Sequence, residues 1–273
     1  MIYESWDAAI MSEMENTSIN KRVWGLWATA GFGFVVLIMS SIIPTLVAVV
    51  FALVNTFSRV TTSSGPLEFE ETLIVFEGVI NSYAGLILAL STFASMIICV
   101  GLVLIIIKVR KSVSIAEYLG LSQISAKTIF VVLAITVGFI ILSDYLSLLL
   151  GRPLSPDYMV HIYDTRVWPV LFWAAIVIFG PISEETFFRG FLFEGFRQSR
   201  IGSTGAIGLT ALVWALMHVQ YDFYGIATIF VVGIVLGIVR LKTGSLWTTL
   251  IMHSFINLVA TAEVALNLNR LVS

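Results

Sequence analysis

Long apolar blocks constrain this chain more than any other feature. They cover about 24–54, 83–107, 128–150, 167–196, 205–219, 225–241 and 245–266. A run of about 18 or more residues with few charges can cross a bilayer as a helix. Hydrocarbon offers the backbone no hydrogen-bond partners, so only helices and closed barrels span it. The alternation of a barrel strand is absent here. Charged residues make up 12% of the chain, where a soluble domain carries roughly 25%. The expected fold is all-α: a polytopic integral membrane helical bundle of about seven to eight transmembrane helices. The first block is longer than a single span needs and contains Pro44, which predicts a kink or a break. An eighth short or re-entrant helix has room there or in the 57–82 loop.

The loops alternate in charge. Lys21 and Arg22 precede the first block, the 108–127 connection carries Lys108, Arg110, Lys111 and Lys127, and Arg197, Arg200, Arg240 and Lys242 follow later blocks. The intervening 57–82 and 151–166 loops are acidic or mixed. Basic loops stay in the cytoplasm, so the N-terminus, 108–127, 197–204 and 240–244 are expected there. The first 21 residues hold four acidic side chains and no apolar core. They do not read as a cleavable signal peptide, so the first span is expected to act as an anchor. No basic tract stands out and the net charge is −2, which argues against nucleic acid as a partner. Cys99 is the single cysteine, so no intramolecular disulfide forms. Gly233 and Gly237 make a GxxxG, read as ordinary close helix packing. His161 is expected to be a solvent-exposed loop residue.

The block at 167–196 contains Glu184, Glu185 and Arg189. Three charges at the centre of a span cost roughly 8–10 kcal/mol, and its Val, Leu, Ile and Phe return roughly 6. Such a span needs partners inside the bundle. Glu185 and Arg189 are four apart and share a helix face. Glu184 points about 100° away and lacks a local partner, which marks it as a functional candidate. His218 ends the next block. In the last, Thr249, His253, Asn257 and Thr261 recur every four residues as one polar stripe. At 1.5 Å per residue, Glu184, His218 and His253 lie about 20, 20 and 12 Å from the basic ends of their spans. Tilt can absorb that difference.

A carboxylate beside a histidine can activate water, and a second histidine with an asparagine can stabilise an oxyanion. That set suffices for amide hydrolysis without a protein nucleophile. On ligand type alone, Glu184, His218 and His253 also form a three-ligand zinc set, although no H-E-x-x-H is present.

The three stretches E184-E185-T-F-F-R189, W214-A-L-M-H218 and H253-S-F-I-N257 resemble the motifs of the CAAX prenyl endopeptidase and bacteriocin-processing (CPBP, abortive-infection) family. The family pattern of these intramembrane glutamic proteases is E-E-x-x-x-R, F-x-x-x-H and H-x-x-x-N. Gly190, Phe191 and the T243-G244-S245-L246 lead also match. The resemblance covers about 165–260 and divides the chain into 1–160, an N-terminal transmembrane region of about three spans, and 161–273, a C-terminal catalytic core. It implies an endopeptidase with Glu184 as general base, His218 assisting, His253 and Asn257 as oxyanion hole, and Glu185 and Arg189 orienting the site. It implies no cofactor and no metal, with zinc as the alternative chemistry. Trp214 departs from the usual Phe and is expected to reshape a pocket wall.

The implied substrate is a membrane-associated peptide or protein, prenylated in the eukaryotic members. A prokaryotic plasma membrane is expected, with the N-terminus and the active-site access cytoplasmic. The rival readings are a non-catalytic membrane adaptor or immunity protein on the same fold, a zinc-dependent membrane protease, and a transporter with a Glu/His proton relay. A transporter would carry matching broken helices in two halves, and here the intramembrane charges lie in the C-terminal part.

Overall fold

A computed structural model of the chain describes residues 23–62 and 67–266. The regular elements among them are helices: α1 (Leu26–Thr61), α2 (Phe69–Ser82), α3 (Ala84–Arg110), α4 (Ile115–Leu119), α5 (Ala126–Leu149), α6 (Asp157–Asp164), α7 (Pro169–Arg197), α8 (Gly202–Leu216), α9 (Phe223–Thr243) and α10 (Leu246–Ala265). Of these, α1, α3, α5, α7, α9 and α10 are long and apolar enough to cross a membrane, and the remaining apolar block forms the shorter α8. The polytopic helical bundle is therefore the observed architecture. Only 11% of the most apolar stretch of α1 or α5 is buried, against 44% for α7. The helix that carries Glu184, Glu185 and Arg189 is thus the inner one, and α1 and α5 lie outside it. The N-terminal 22 residues, with the signal-peptide reading and the Lys21-Arg22 pair, lie outside the described residues.

Pro44 does not break α1, which runs unbroken for 36 residues. A proline has no N–H to offer the carbonyl four residues back. That carbonyl, of Ser40, instead accepts the Ser95 hydroxyl of α3 at 3.1 Å, and Ser91 donates to the Pro44 carbonyl at 3.2 Å. The neighbouring helix supplies what the proline removes. The expected eighth helix sits in the 57–82 loop as α2. A reciprocal cap starts it: Glu68 accepts from the third-residue backbone, and the Glu71 side chain accepts the Glu68 N–H at 2.9 Å.

The helices alternate in direction and define two ends. At the basic end, the Leu246 amide donates to the Gly120 carbonyl at 2.8 Å, and Ser245 donates to the Ser122 carbonyl at 2.9 Å. Gly120 is in the left-handed region with φ +69° and lies against the Arg240 guanidinium. At the opposite end, the Ser147 and Tyr224 hydroxyls share a hydrogen bond of 3.0 Å, joining the last turn of α5 to the first turn of α9. His161 lies there, exposed as expected but on α6 rather than in a loop. The GxxxG reading also holds. A Cβ on Gly233 would lie 2.8 Å from the Ala211 Cβ, and one on Gly237 3.1 Å from Ile207, so α9 packs closely on α8.

Gly85 is where the N-terminal helices meet the rest at the opposite end. Its amide donates to the Thr165 hydroxyl at 3.0 Å. A Cβ there would overlap the Ile162 carbonyl and press to 2.8 Å from the Arg166 backbone nitrogen. Backbone cannot rotate aside as a side chain can, so Gly85→Ala is expected to cost about 1–3 kcal/mol by overpacking. A lower thermal midpoint of the detergent-purified protein checks this.

Candidate active site

Within α7 the stretch Gly180–Glu185 is α-helical and lies between two wide π-type stretches, Ala175–Phe179 and Thr186–Leu192. Such bulges are frequent at functional sites. The first exposes the Ile176 carbonyl, which accepts the Asn257 amide at 2.9 Å. The second carries Arg189.

Glu185 and Arg189 pair as their spacing predicts. Arg189 Nη1 donates to Glu185 Oε1 at 2.9 Å, and both side chains are fully buried. Arg189 Nη2 also donates to the Gly233 carbonyl at 3.3 Å. The same Glu185 oxygen accepts from His253 Nδ1 at 2.9 Å. One carboxylate thus joins α7 to α10, and its arginine joins α7 to α9.

Glu184 has no partner on its own helix, as expected. Its partner comes from α8: the indole Nε1–H of Trp214 donates to Glu184 Oε2. Trp214 also lies under the Arg189 guanidinium, 4.5 Å from ring centre to Cζ. Its ring meets the edges of His218 and His253 at centroid distances of 5.3 and 5.2 Å. His218 Nδ1 bonds the Trp214 carbonyl at 2.8 Å. Carbonyl and carboxylate acceptors place a proton on Nδ1 of both histidines, which leaves Nε2 as the free nitrogen of each.

Trp214 is therefore more than the reshaped pocket wall that the motif departure suggests. The signal was in the sequence, since indole has an N–H and the phenyl ring usual at this position has none. A hydrogen bond to a charged group contributes about 1.5–3 kcal/mol. Trp214→Phe is expected to cut any Glu184-dependent turnover by roughly ten- to a hundredfold, with little change in expression. Unchanged kcat would show that the bond does not act in turnover.

A cavity of about 240 Å3 lies against this cluster. Glu184 and His218 line it, with Cys99 and Ser95 from α3 and Ser40 and Leu37 from α1. The buried Cys99 thiol sits 3.6 Å from the Ser183 carbonyl. His253 and Asn257 do not line the cavity. His253 is 4% exposed behind Trp214, and Asn257 spends one amide hydrogen on Ile176. Thr249 and Thr261 of the polar stripe are buried and bond their own helix at Leu246 and Asn257. The structure thus gathers Glu184, Glu185, Arg189, His218 and His253 around one indole and places Asn257 at the rear of that group. Among the described residues no three of His, Cys, Asp and Glu converge as a metal-ligand set. Glu184, His218 and His253, the trio considered for zinc, each contact Trp214.

The cavity rim lies away from the basic end of the bundle. Below Glu184, Phe187, Phe188, Phe191, Phe193 and Phe196 of α7 are at most 5% exposed, and Leu192 packs tightly on Gly33 of α1. Met217, His218 and Gln220 belong to the turn between α8 and α9 at the opposite end, and all three line the cavity.

Residues 166–259 match the family model described as type II CAAX prenyl endopeptidase Rce1-like. An uncharacterized 24.3 kDa protein of Escherichia coli is 31% identical over 113 residues. That alignment takes in 38% of this chain, and the chain spans about half (52%) of the length of that relative. No solved structure matches. The matched segment begins just before α7 and ends within α10, so it contains every residue of the cluster described above. With three motifs in order and one family model across them, residues 166–259 are similar to the Rce1-like type II CAAX prenyl endopeptidases, a family of membrane proteases.

Proposed function

We propose that this protein is an intramembrane endopeptidase in which Glu184, assisted by His218, activates water for attack on a peptide bond. One observation carries this reading: Glu184 and His218 line the same cavity, each already oriented by Trp214. The indole N–H holds one Glu184 oxygen, and the other is free to accept a proton from water. The free Nε2 of His218 can take that proton onward or give it to the leaving amine. Glu185 and Arg189 orient the cluster. His253 and Asn257 act as the oxyanion donors. In that role His253 carries both protons, and the Glu185 carboxylate at 2.9 Å is its counter-charge. Asn257 keeps a second amide hydrogen beyond its bond to Ile176.

The substrate is a membrane-associated peptide or protein, and the family match makes a prenylated CaaX peptide the first to try. The setting is a prokaryotic plasma membrane with the N-terminus in the cytoplasm. The test is cleavage of a fluorescence-quenched farnesylated CaaX peptide and its unprenylated counterpart by detergent-purified protein, with and without a zinc chelator. Cleavage that survives the chelator and is lost in Glu184→Gln supports the reading. Loss with the chelator favours the zinc protease. Glu184→Gln cells with a wild-type phenotype favour the adaptor.

A further inference from the structure

We propose that Arg240 of α9 is a positioning residue for the hydrolysis: its guanidinium takes the carbonyl that the second wide turn of α7 sets free, and so fixes the rotation at which Glu184 faces the cavity. The reaction rests on the protease reading of Glu184, the positioning on hydrogen bonds.

Glu184 and Glu185 lie on the short α-helical stretch between two wide turns, and each wide turn frees a carbonyl. In an α-helix an amide bonds the carbonyl four residues back. At the first wide turn the Gly180 amide reaches one residue further, to the Ala175 carbonyl. The Ile176 carbonyl thereby loses its ordinary donor, and the Asn257 amide of α10 replaces it at 2.9 Å. At the second wide turn the Phe193 amide reaches one residue further, to the Phe188 carbonyl. The Arg189 carbonyl loses its donor in the same way, and Arg240 Nε replaces it at 3.0 Å. A buried carbonyl without a donor is costly, so each wide turn depends on the side chain that serves it. The stretch that carries the two glutamates is held at both ends by neighbouring helices.

The second of these bonds controls direction. The turn beyond it is fixed by packing, with Phe193 and Phe196 buried in the core and Glu194 paired with Arg197. If the Arg189 carbonyl took back the Phe193 amide, α7 would lose one residue of phase. The Gly180–Glu185 stretch would then rotate by about 100° against that fixed turn. Glu184 would leave the cavity wall, and Glu185 would leave His253. Arg240 is anchored well enough to prevent this. It is 4% exposed, its Nη2 donates to the Leu119 carbonyl of α4 at 3.2 Å, and its Cζ lies 5.7 Å from the Phe193 ring centre.

Arg240→Lys removes the bond in question and little else. Lysine carries a methylene where arginine carries Nε, so the Arg189 carbonyl loses its donor while the positive charge and a donor for the Leu119 carbonyl remain. The comparator is Ser147→Ala, which breaks the bond to Tyr224 at the far end of α9 and leaves α7 untouched. Both variants and the wild type are purified in detergent and assayed at the same interval below their thermal midpoints. One readout is kcat and KM on the farnesylated CaaX peptide. The other is the rate at which N-ethylmaleimide alkylates Cys99, the single cysteine, whose thiol donates to the Ser183 carbonyl beside Glu184. Arg240→Lys is expected to lose roughly ten- to a hundredfold in kcat, the effect of a small misplacement, with KM little changed. Its Cys99 is expected to react severalfold faster than in the wild type, and Ser147→Ala to match the wild type in both readouts. A wild-type kcat or a wild-type alkylation rate in Arg240→Lys overturns the inference, and so does a Ser147→Ala protein that reproduces both changes. If Arg240→Lys does not accumulate, the residue serves the fold alone and the inference falls. A wild type that cleaves nothing ends the protease reading separately, and the alkylation of Cys99 still decides whether Arg240 positions α7.

Discussion

Glu184→Gln is expected to lower turnover by about 10²–10⁴-fold, the usual contribution of a general base, while the protein accumulates and unfolds as the wild type does. The substitution is chosen for what it keeps. A glutamine carbonyl still accepts the Trp214 N–H, so the contact that orients the residue survives. It removes only the negative charge and the capacity to take a proton. Glu184 lies on the cavity wall rather than in the packed interior, so losing its charge leaves no buried cation unpaired; the carboxylate opposite Arg189 is that of Glu185. Cleavage assays beside thermal unfolding in detergent check the result. A Glu184→Gln protein with full activity would end the assignment of Glu184 as base.

The second large effect belongs to the neighbouring pair and is a loss of the fold. Arg189→Ala leaves Glu185 as a fully buried carboxylate without its permanent cation. Removing one partner of a buried ion pair destabilises by about 3–5 kcal/mol, because the remaining charge is uncompensated. Arg189 also fills space under Trp214 and bonds the Gly233 carbonyl at the α8–α9 contact. Arg189→Ala should therefore unfold at a much lower temperature and express poorly. Arg189→Lys should fall between the two. It restores a charge opposite Glu185, but its ammonium cannot form the planar contact with the indole and the two separate donations that the guanidinium makes. A normal thermal midpoint for Arg189→Ala would show that the pair does not hold α7, α9 and α10 together. The contrast between Glu184→Gln and Arg189→Ala separates the two roles that adjacent charges in one helix play.

Hydropathy and i,i+4 spacing are local properties, and the features that depend on them were legible in the sequence. Burying a backbone in lipid forces helix, so the apolar blocks gave the bundle. Four-residue spacing gave the Glu185–Arg189 pair, and the same geometry explained why Glu184 finds no partner on α7. Three motifs in order gave the family resemblance. What stayed hidden depends on which helices are neighbours. Pro44 reads as a break until Ser95 of α3 is seen bonding the carbonyl it frees. Trp214 reads as a wall until α8 brings its N–H to Glu184. The bond from the Asn257 amide to the Ile176 carbonyl stays hidden until the wide turn of α7 is seen beside α10. Charge and periodicity along one helix determined what each span could offer. Only the packing of α1, α3 and α8 against α7 decided which of those groups meet, because such a hydrogen bond is a relation between helices.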